Sequence, residues 1–180
     1  MFAFYLYFNS PIILTKSKYF KTNLTQNPTE PFTKQGYEVI FFTSGNRSWY
    51  ELGTFLLNQN IKIIDALILL KDYPEAQKTA YGILDEYMYY KAYELFKTAQ
   101  KPLLTLSTSN HPPYPKVYES IVKKSLSVEI YEKLPKNTYE NLNNYAYANS
   151  EFGKFVSKIK ASDLKDKIII AATGDHRVRK

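Results

Sequence analysis

The chain has two histidines, and each stands among residues that could do chemistry. His176 directly follows Asp175, just after Gly174. A carboxylate and an imidazole held side by side on a tight turn can both ligate one divalent cation, and oxygen plus nitrogen ligation suits Zn or Mn. On the residues alone, the same triplet is more often a turn with a solvated histidine; the apolar run before it favours the ligand reading. His111 lies within Ser109-Asn110-His111-Pro112-Pro113. Prolines that fix this loop could hold the imidazole toward a substrate oxyanion; the plain alternative is a loop histidine bonded locally. A third polar stretch, Ser44-Gly45-Asn46-Arg47-Ser48-Trp49, contains one glycine and lacks the GxxxxGK[ST] spacing of a phosphate loop. Trp49 in such a place more often packs than binds. With no cysteine, disulfides, thiolate metal sites and a cysteine nucleophile are excluded.

These three stretches follow segments that read as strands. Tyr37–Thr43 (YEVIFFT) is a short β-branched and aromatic run between Gly36 and Gly45. Pro102–Ser107 (PLLTLS) is a second buried strand, and Asp166–Thr173 (DKIIIAAT) is the most apolar of all, ending at Gly174. Ile61–Ile64 reads as a further strand and Ser127–Tyr131 as an alternating edge element. Helical patterns separate them. Ser48–Asn58 has Trp49, Leu52, Phe55 and Leu56 at helical spacing, with Ser48 and Glu51 placed as a capping box. Ile83–Thr98 carries Asp85 and Glu86 in its first turn and Lys97 in its last, as the helix dipole favours. Thr138–Lys160 lines one face with Tyr145, Phe152, Phe155, Val156 and Ile159. Residues 21–36 are polar and proline-containing, a loop with one short helix. Apolar strands alternating with helices predict an α/β fold, a mostly parallel sheet flanked by helices. In such a sheet ligands bind beyond the carboxyl ends of the strands, which is where both histidines fall.

The chain's 180 residues are 44% hydrophobic, enough for about one domain with a real core. No apolar run approaches the roughly 18 residues of a membrane span. Met1–Phe8 (MFAFYLYF) is apolar but has neither the basic start nor the cleavage site of a signal peptide. The net charge is +7, and of 24 basic residues only Arg47, Arg177 and Arg179 are arginine, leaving 24 − 3 = 21 lysines. Lysines spread along the whole chain read as a solvated surface. Arginine is scarce and no RRM or KH pattern is present, so no nucleic-acid partner is expected.

Five motifs in order give a family resemblance. They are Gly36-Tyr37; Phe41-Phe42-Thr43-Ser44-Gly45-Asn46-Arg47-Ser48-Trp49; Tyr81-Gly82-Ile83-Leu84-Asp85-Glu86; Leu104-Thr105-Leu106-Ser107-Thr108-Ser109-Asn110-His111-Pro112; and Tyr147-Ala148-Asn149-Ser150-Glu151-Phe152-Gly153-Lys154-Phe155 followed by Thr173-Gly174-Asp175-His176. From about residue 30 to 176 the chain resembles the lipoteichoic-acid-synthase-like branch of the sulfatase and alkaline phosphatase superfamily. The resemblance implies an alkaline-phosphatase-like α/β catalytic domain of a membrane-anchored, extracytoplasmic enzyme. Such enzymes transfer phosphoglycerol or phosphoethanolamine from a lipid, or hydrolyse phosphate or sulfate esters, with a divalent metal, often Mn. It implies Asp175 and His176 as metal ligands and His111 and Trp49 as substrate-binding residues, with a lipid-linked or ester substrate.

The family's first metal carboxylate and its nucleophile lie upstream of the Gly36-Tyr37 motif, where this chain has some 35 residues. Thr15, Thr22, Thr25 and Thr29 are there without a strand-then-helix setting. Glu51 stands where an arginine is often found, and Asn149 where an acidic residue is frequent. The expected organisation is therefore an atypical segment over 1–30 and a partial sulfatase-like domain over 31–180, incomplete at both ends. No catalytic nucleophile is assigned. Such a domain would bind Mn or Zn weakly if at all by itself and be inactive alone, working with an upstream membrane-anchored fragment. The alternative is a non-catalytic remnant or binding module.

Overall fold

The computed structural model describes residues 20–24, 27–48, 51–79, 81–109 and 128–173. Three strands, β1 (Glu38–Thr43), β2 (Lys62–Ile64) and β3 (Leu103–Thr108), form a parallel sheet in the order β2-β1-β3. Side chains alternate across the sheet, and both faces of β1 are covered. Ile40 and Phe42 pack against Leu69, Ile83, Met88 and Ala92 on one face, while Val39 packs against Phe55, Leu56, Ile61 and Ile63 on the other. This double burial is why β1 reads as a continuous apolar run rather than an alternating one.

Around the sheet, α1 (Glu30–Lys34) leads into β1, and α2 (Leu52–Asn58) joins β1 to β2. Helix α3 (Ala66–Asp72) follows β2, and α4 (Asp85–Thr98) precedes β3. A single turn, α5 (Val128–Tyr131), and the long α6 (Lys136–Lys160) complete the described elements. Helix α6 lies against α4 rather than against the sheet. Phe155 stacks on Tyr89 at a centroid distance of 5.0 Å and touches Phe96 at 6.2 Å. Ala148 and Ile159 are buried on the same side, at the spacing that gives one helical face.

Three local expectations change. Residues 128–131 form a helical turn, not a strand edge; alternation over five residues makes a strand only where a neighbour offers a ladder. Residues 168–173 form no ladder with any described strand, and Ile169 is 99% exposed. The outer edge of β3 carries no partner among the described residues, and an apolar run becomes a strand only when its backbone groups are paired. The capping box at Ser48 is absent. Helix α2 starts later, with Glu51 at the N-cap in the left-handed region (φ 55°) and no side-chain cap. The backbone instead folds back so that the Gly53 amide donates to the Arg47 carbonyl at 2.9 Å.

Candidate functional site

Strands β1 and β3 end level with one another, Thr43 opposite Thr108 in the parallel register. The segments that leave them therefore depart from one edge of the sheet. Ser44 is fully buried and its hydroxyl donates to the Asp85 carboxylate, which opens α4 and is itself buried. The first turn of a helix favours an anionic side chain, and α4 is long enough for that effect. The backbone carries the same junction. The Ile83 amide donates to the Ser44 carbonyl at 2.8 Å, and the Asn46 amide to the Tyr81 carbonyl at 3.1 Å. Only glycine fits at position 82, since a Cβ there would lie 2.0 Å from the Ser44 carbonyl oxygen.

Asp65 holds the other side of the segment. It is fully buried and its Oδ2 accepts from the Arg47 Nε at 3.0 Å and from the Arg47 backbone amide at 3.3 Å. Its Oδ1 accepts from the Ile68 amide at 3.3 Å, so the same carboxylate caps α3. Two buried aspartates thus fix residues 44–47, while Asn46 and Ser48 stay exposed at the strand-exit edge.

Beside Asp85, the junction of α4 and α6 is polar. Lys154 Nζ lies 2.5 Å from Glu151 Oε1, and the Glu151 side chain is 7% exposed. Burial pushes the Glu86 carboxyl above its ordinary range; nearby Glu151 pushes it further, and Lys154 opposes. The hydrogen bond to Glu151 holds the Lys154 ammonium above its usual range. Burial, reinforced by the surrounding carboxylates, keeps the hydroxyls of Tyr89 and Tyr147 far above the ordinary tyrosine range and so protonated. A separate cavity of about 410 Å³, lined in part by Asn27, Glu30, Lys34 and Gln59, lies among α1 and the end of α2. That is the opposite edge of the sheet, where strands begin, away from the exits.

Of the residues that the sequence singles out, His111, Trp49, Asp175 and His176 all lie outside the described residues. The segments preceding Trp49 and His111, Ser44–Ser48 and Thr108–Ser109, are described, and the strands they follow end at the paired positions Thr43 and Thr108. Sequence reasoning missed Asp65, whose place immediately before Ala66-Leu67-Ile68-Leu69-Leu70 is a readable N-cap signal. It also missed the Ser44–Asp85 pair, two residues 41 positions apart that no local pattern connects.

Parallel strands flanked by helices, with a polar segment at their carboxyl edge, define an α/β domain, the class of sheet in which ligands bind beyond the carboxyl ends of the strands. The sulfatase family model matches residues 20–178, and the chain belongs to the sulfatase family. Among solved structures it is similar to an alkaline phosphatase superfamily protein from Vibrio parahaemolyticus, with a TM-score of 0.59 and 22% identity over 84% of this chain and 35% of that one. It is also similar to the lipoteichoic acid synthase LtaP from Listeria monocytogenes, with a TM-score of 0.61 and 18% identity over 79% of this chain and 34% of that one. The fold is thus that of the alkaline phosphatase superfamily, and the chain spans about a third of the length of these two structures. No curated protein matches the sequence. Among the described residues, no helix is long and apolar enough to cross a membrane.

Proposed function

We propose that this chain is part of the catalytic domain of a metal-dependent enzyme that transfers or hydrolyses phosphate or sulfate esters. The substrate class we favour is a lipid-linked phosphoglycerol or phosphoethanolamine at the cell envelope. The observation that supports this reading best is the level ending of β1 and β3. It starts the segments leading to Trp49 and to His111 from one edge, and the family match extends through Asp175 and His176.

In this reading Asp175 and His176 are two ligands of a divalent ion, and His111 and Trp49 meet the ester. One carboxylate oxygen and one imidazole nitrogen are donors that Mn or Zn accepts. Among the described residues, no group of three or more Asp, Glu or His could hold a metal. Two protein ligands fall short of the about four of a closed site, so the chain alone binds the ion weakly. When bound, such an ion polarises the ester and lowers the pKa of an attacking oxygen. None of this chain's residues is assigned the attack. Thr29, one of the upstream threonines, is buried and donates its hydroxyl to Asn27 at 2.6 Å. In this reading the nucleophile comes from a part of the family's catalytic domain other than these 180 residues.

Trp49 is the sole tryptophan, so its fluorescence reports on the substrate edge alone. Titrating glycerol phosphate in the presence of Mn²⁺ should change that fluorescence saturably, and His111→Ala should abolish the change. The chain alone should not turn over p-nitrophenyl phosphate or p-nitrophenyl sulfate. A fluorescence that never responds would overturn the assignment of this edge. Turnover that is lost in His176→Ala would overturn the view that the nucleophile comes from elsewhere.

A further inference from the structure

We infer that Arg47 is an oxyanion receptor at the strand-exit edge, taking the tetrahedral phosphate or sulfate group of the ester. This rests on the functional reading above and adds to it a binding residue to which the family resemblance gives no role. The chain uses lysine almost everywhere a cation is needed, and Arg47 is the only arginine among the described residues. Its position calls for what lysine lacks, a planar fork that can serve two partners at once. One side of the fork is occupied, with Nε donating to Asp65 Oδ2 at 3.0 Å. The two terminal amino groups have no hydrogen-bond partner among the described residues, and the side chain is 34% exposed.

The guanidinium is also held in place along its length. The backbone amide of Arg47 donates to the same buried carboxylate at 3.3 Å, and the carbonyl accepts from Gly53 at 2.9 Å. Its aliphatic stem lies across Gly53, where a Cβ would come within 2.9 Å of Cγ and 3.0 Å of Cβ and Cδ. A side chain ordered by a buried carboxylate at one nitrogen and a glycine shelf beneath its stem loses little rotamer freedom on binding. Asp65 is itself tied to the Ile68 amide, so it orients the arginine without leaving its place. The two terminal amino groups match the two-oxygen face of a phosphate or sulfate group, in the bidentate manner that makes arginine the preferred receptor for such anions. Exposed Asn46 and Ser48 flank it on the segment that leads to Trp49.

The test needs neither metal nor turnover. Three arginines give three Nε–H resonances in a ¹⁵N-labelled chain, and Arg47→Lys assigns the one that matters. Inorganic phosphate and inorganic sulfate are titrated separately at constant ionic strength. The Arg47 resonance should shift saturably, with the tighter of the two anions naming the ester class. Binding is followed as well on the backbone amides of Asn46 and Ser48, which the variant keeps, and there Arg47→Lys should weaken it about tenfold, the loss of one charge-assisted hydrogen bond. A shift that only tracks ionic strength, or an affinity unchanged in a folded Arg47→Lys chain, would overturn the inference. Should that variant fail to fold, the saturable shift in the parent chain decides. Because no metal is present, a negative result here leaves the Asp175 and His176 proposal standing, and the reverse also holds.

Discussion

Gly82→Ala gives the sharpest expectation about what holds the strand-exit edge together. A methyl group at residue 82 would lie 2.0 Å from the Ser44 carbonyl oxygen, 2.8 Å from the Gly45 Cα and 2.9 Å from the Ser44 carbonyl carbon. All three are backbone atoms, so no side chain can swing away. Restoring an ordinary non-bonded separation of about 3.5 Å requires the two segments to part by about 1.5 Å. The Ile83 amide, now 2.8 Å from the Ser44 carbonyl, would then stand beyond hydrogen-bonding range. The Asn46 amide would lose Tyr81, and the Ser44 hydroxyl would be drawn from Asp85, which has to stay buried. Each buried polar group left unpaired costs about 1–3 kcal/mol, so two give ~3 kcal/mol or more. For a chain of this size that is about 6–12 °C in melting temperature. Urea unfolding followed by circular dichroism measures it. A loss below ~1 kcal/mol would refute the reasoning, because it would mean that the Gly45–Gly82 junction is loose and does not hold the Ser44–Arg47 segment.

Two further outcomes follow from the α4–α6 junction. The raised Glu86 carboxyl holds its proton more tightly in the folded than in the unfolded chain. The stability that Glu86 contributes is then highest below the ordinary value of 4.5 and is lost as pH rises from there through the raised folded value. Glu86→Gln should flatten that decline and stabilise the chain at neutral pH by about 0.5 kcal/mol, a small figure because the group is partly solvent-screened. Unfolding curves across that pH range check it, and a steeper decline in the variant would contradict it. Phe155→Ala should cost about 2–3 kcal/mol, since it removes the ring lying between Tyr89 and Phe96. Hydrogen exchange should speed up in α6 and leave β1 unchanged; equal loss in both would show that α6 is not a separable layer.

The sheet was legible because buried parallel strands write themselves as apolar runs, and β1, β2 and β3 all stand within a residue or so of the expected bounds. Helices α4 and α6 were legible from their periodic faces and from Asp85 and Glu86 at the first turn of α4. Where the reading failed, the missing quantity was a partner. Residues 168–173 have the strongest strand composition in the chain yet join no strand of the described sheet, and composition carries no information about whether a neighbouring edge is present. Helix α3 went unread, although Asp65 marks its start, because seven residues give too few turns for a periodicity to emerge. The family was readable from motif order across the chain. The clamp on Ser44–Arg47 was not, since Asp65 and Asp85 reach it from 18 and 41 positions away.

Calorimetric titration with Mn²⁺ and with Zn²⁺ tests the central proposal most directly. The parent chain should bind weakly, as two ligands without the rest of a closed site allow, and the paired substitution Asp175→Ala with His176→Ala should abolish the heat while the circular dichroism spectrum stays the same. Tight binding that survives the paired substitution, or no binding in the parent chain, would contradict the assignment of Asp175 and His176 to a metal centre.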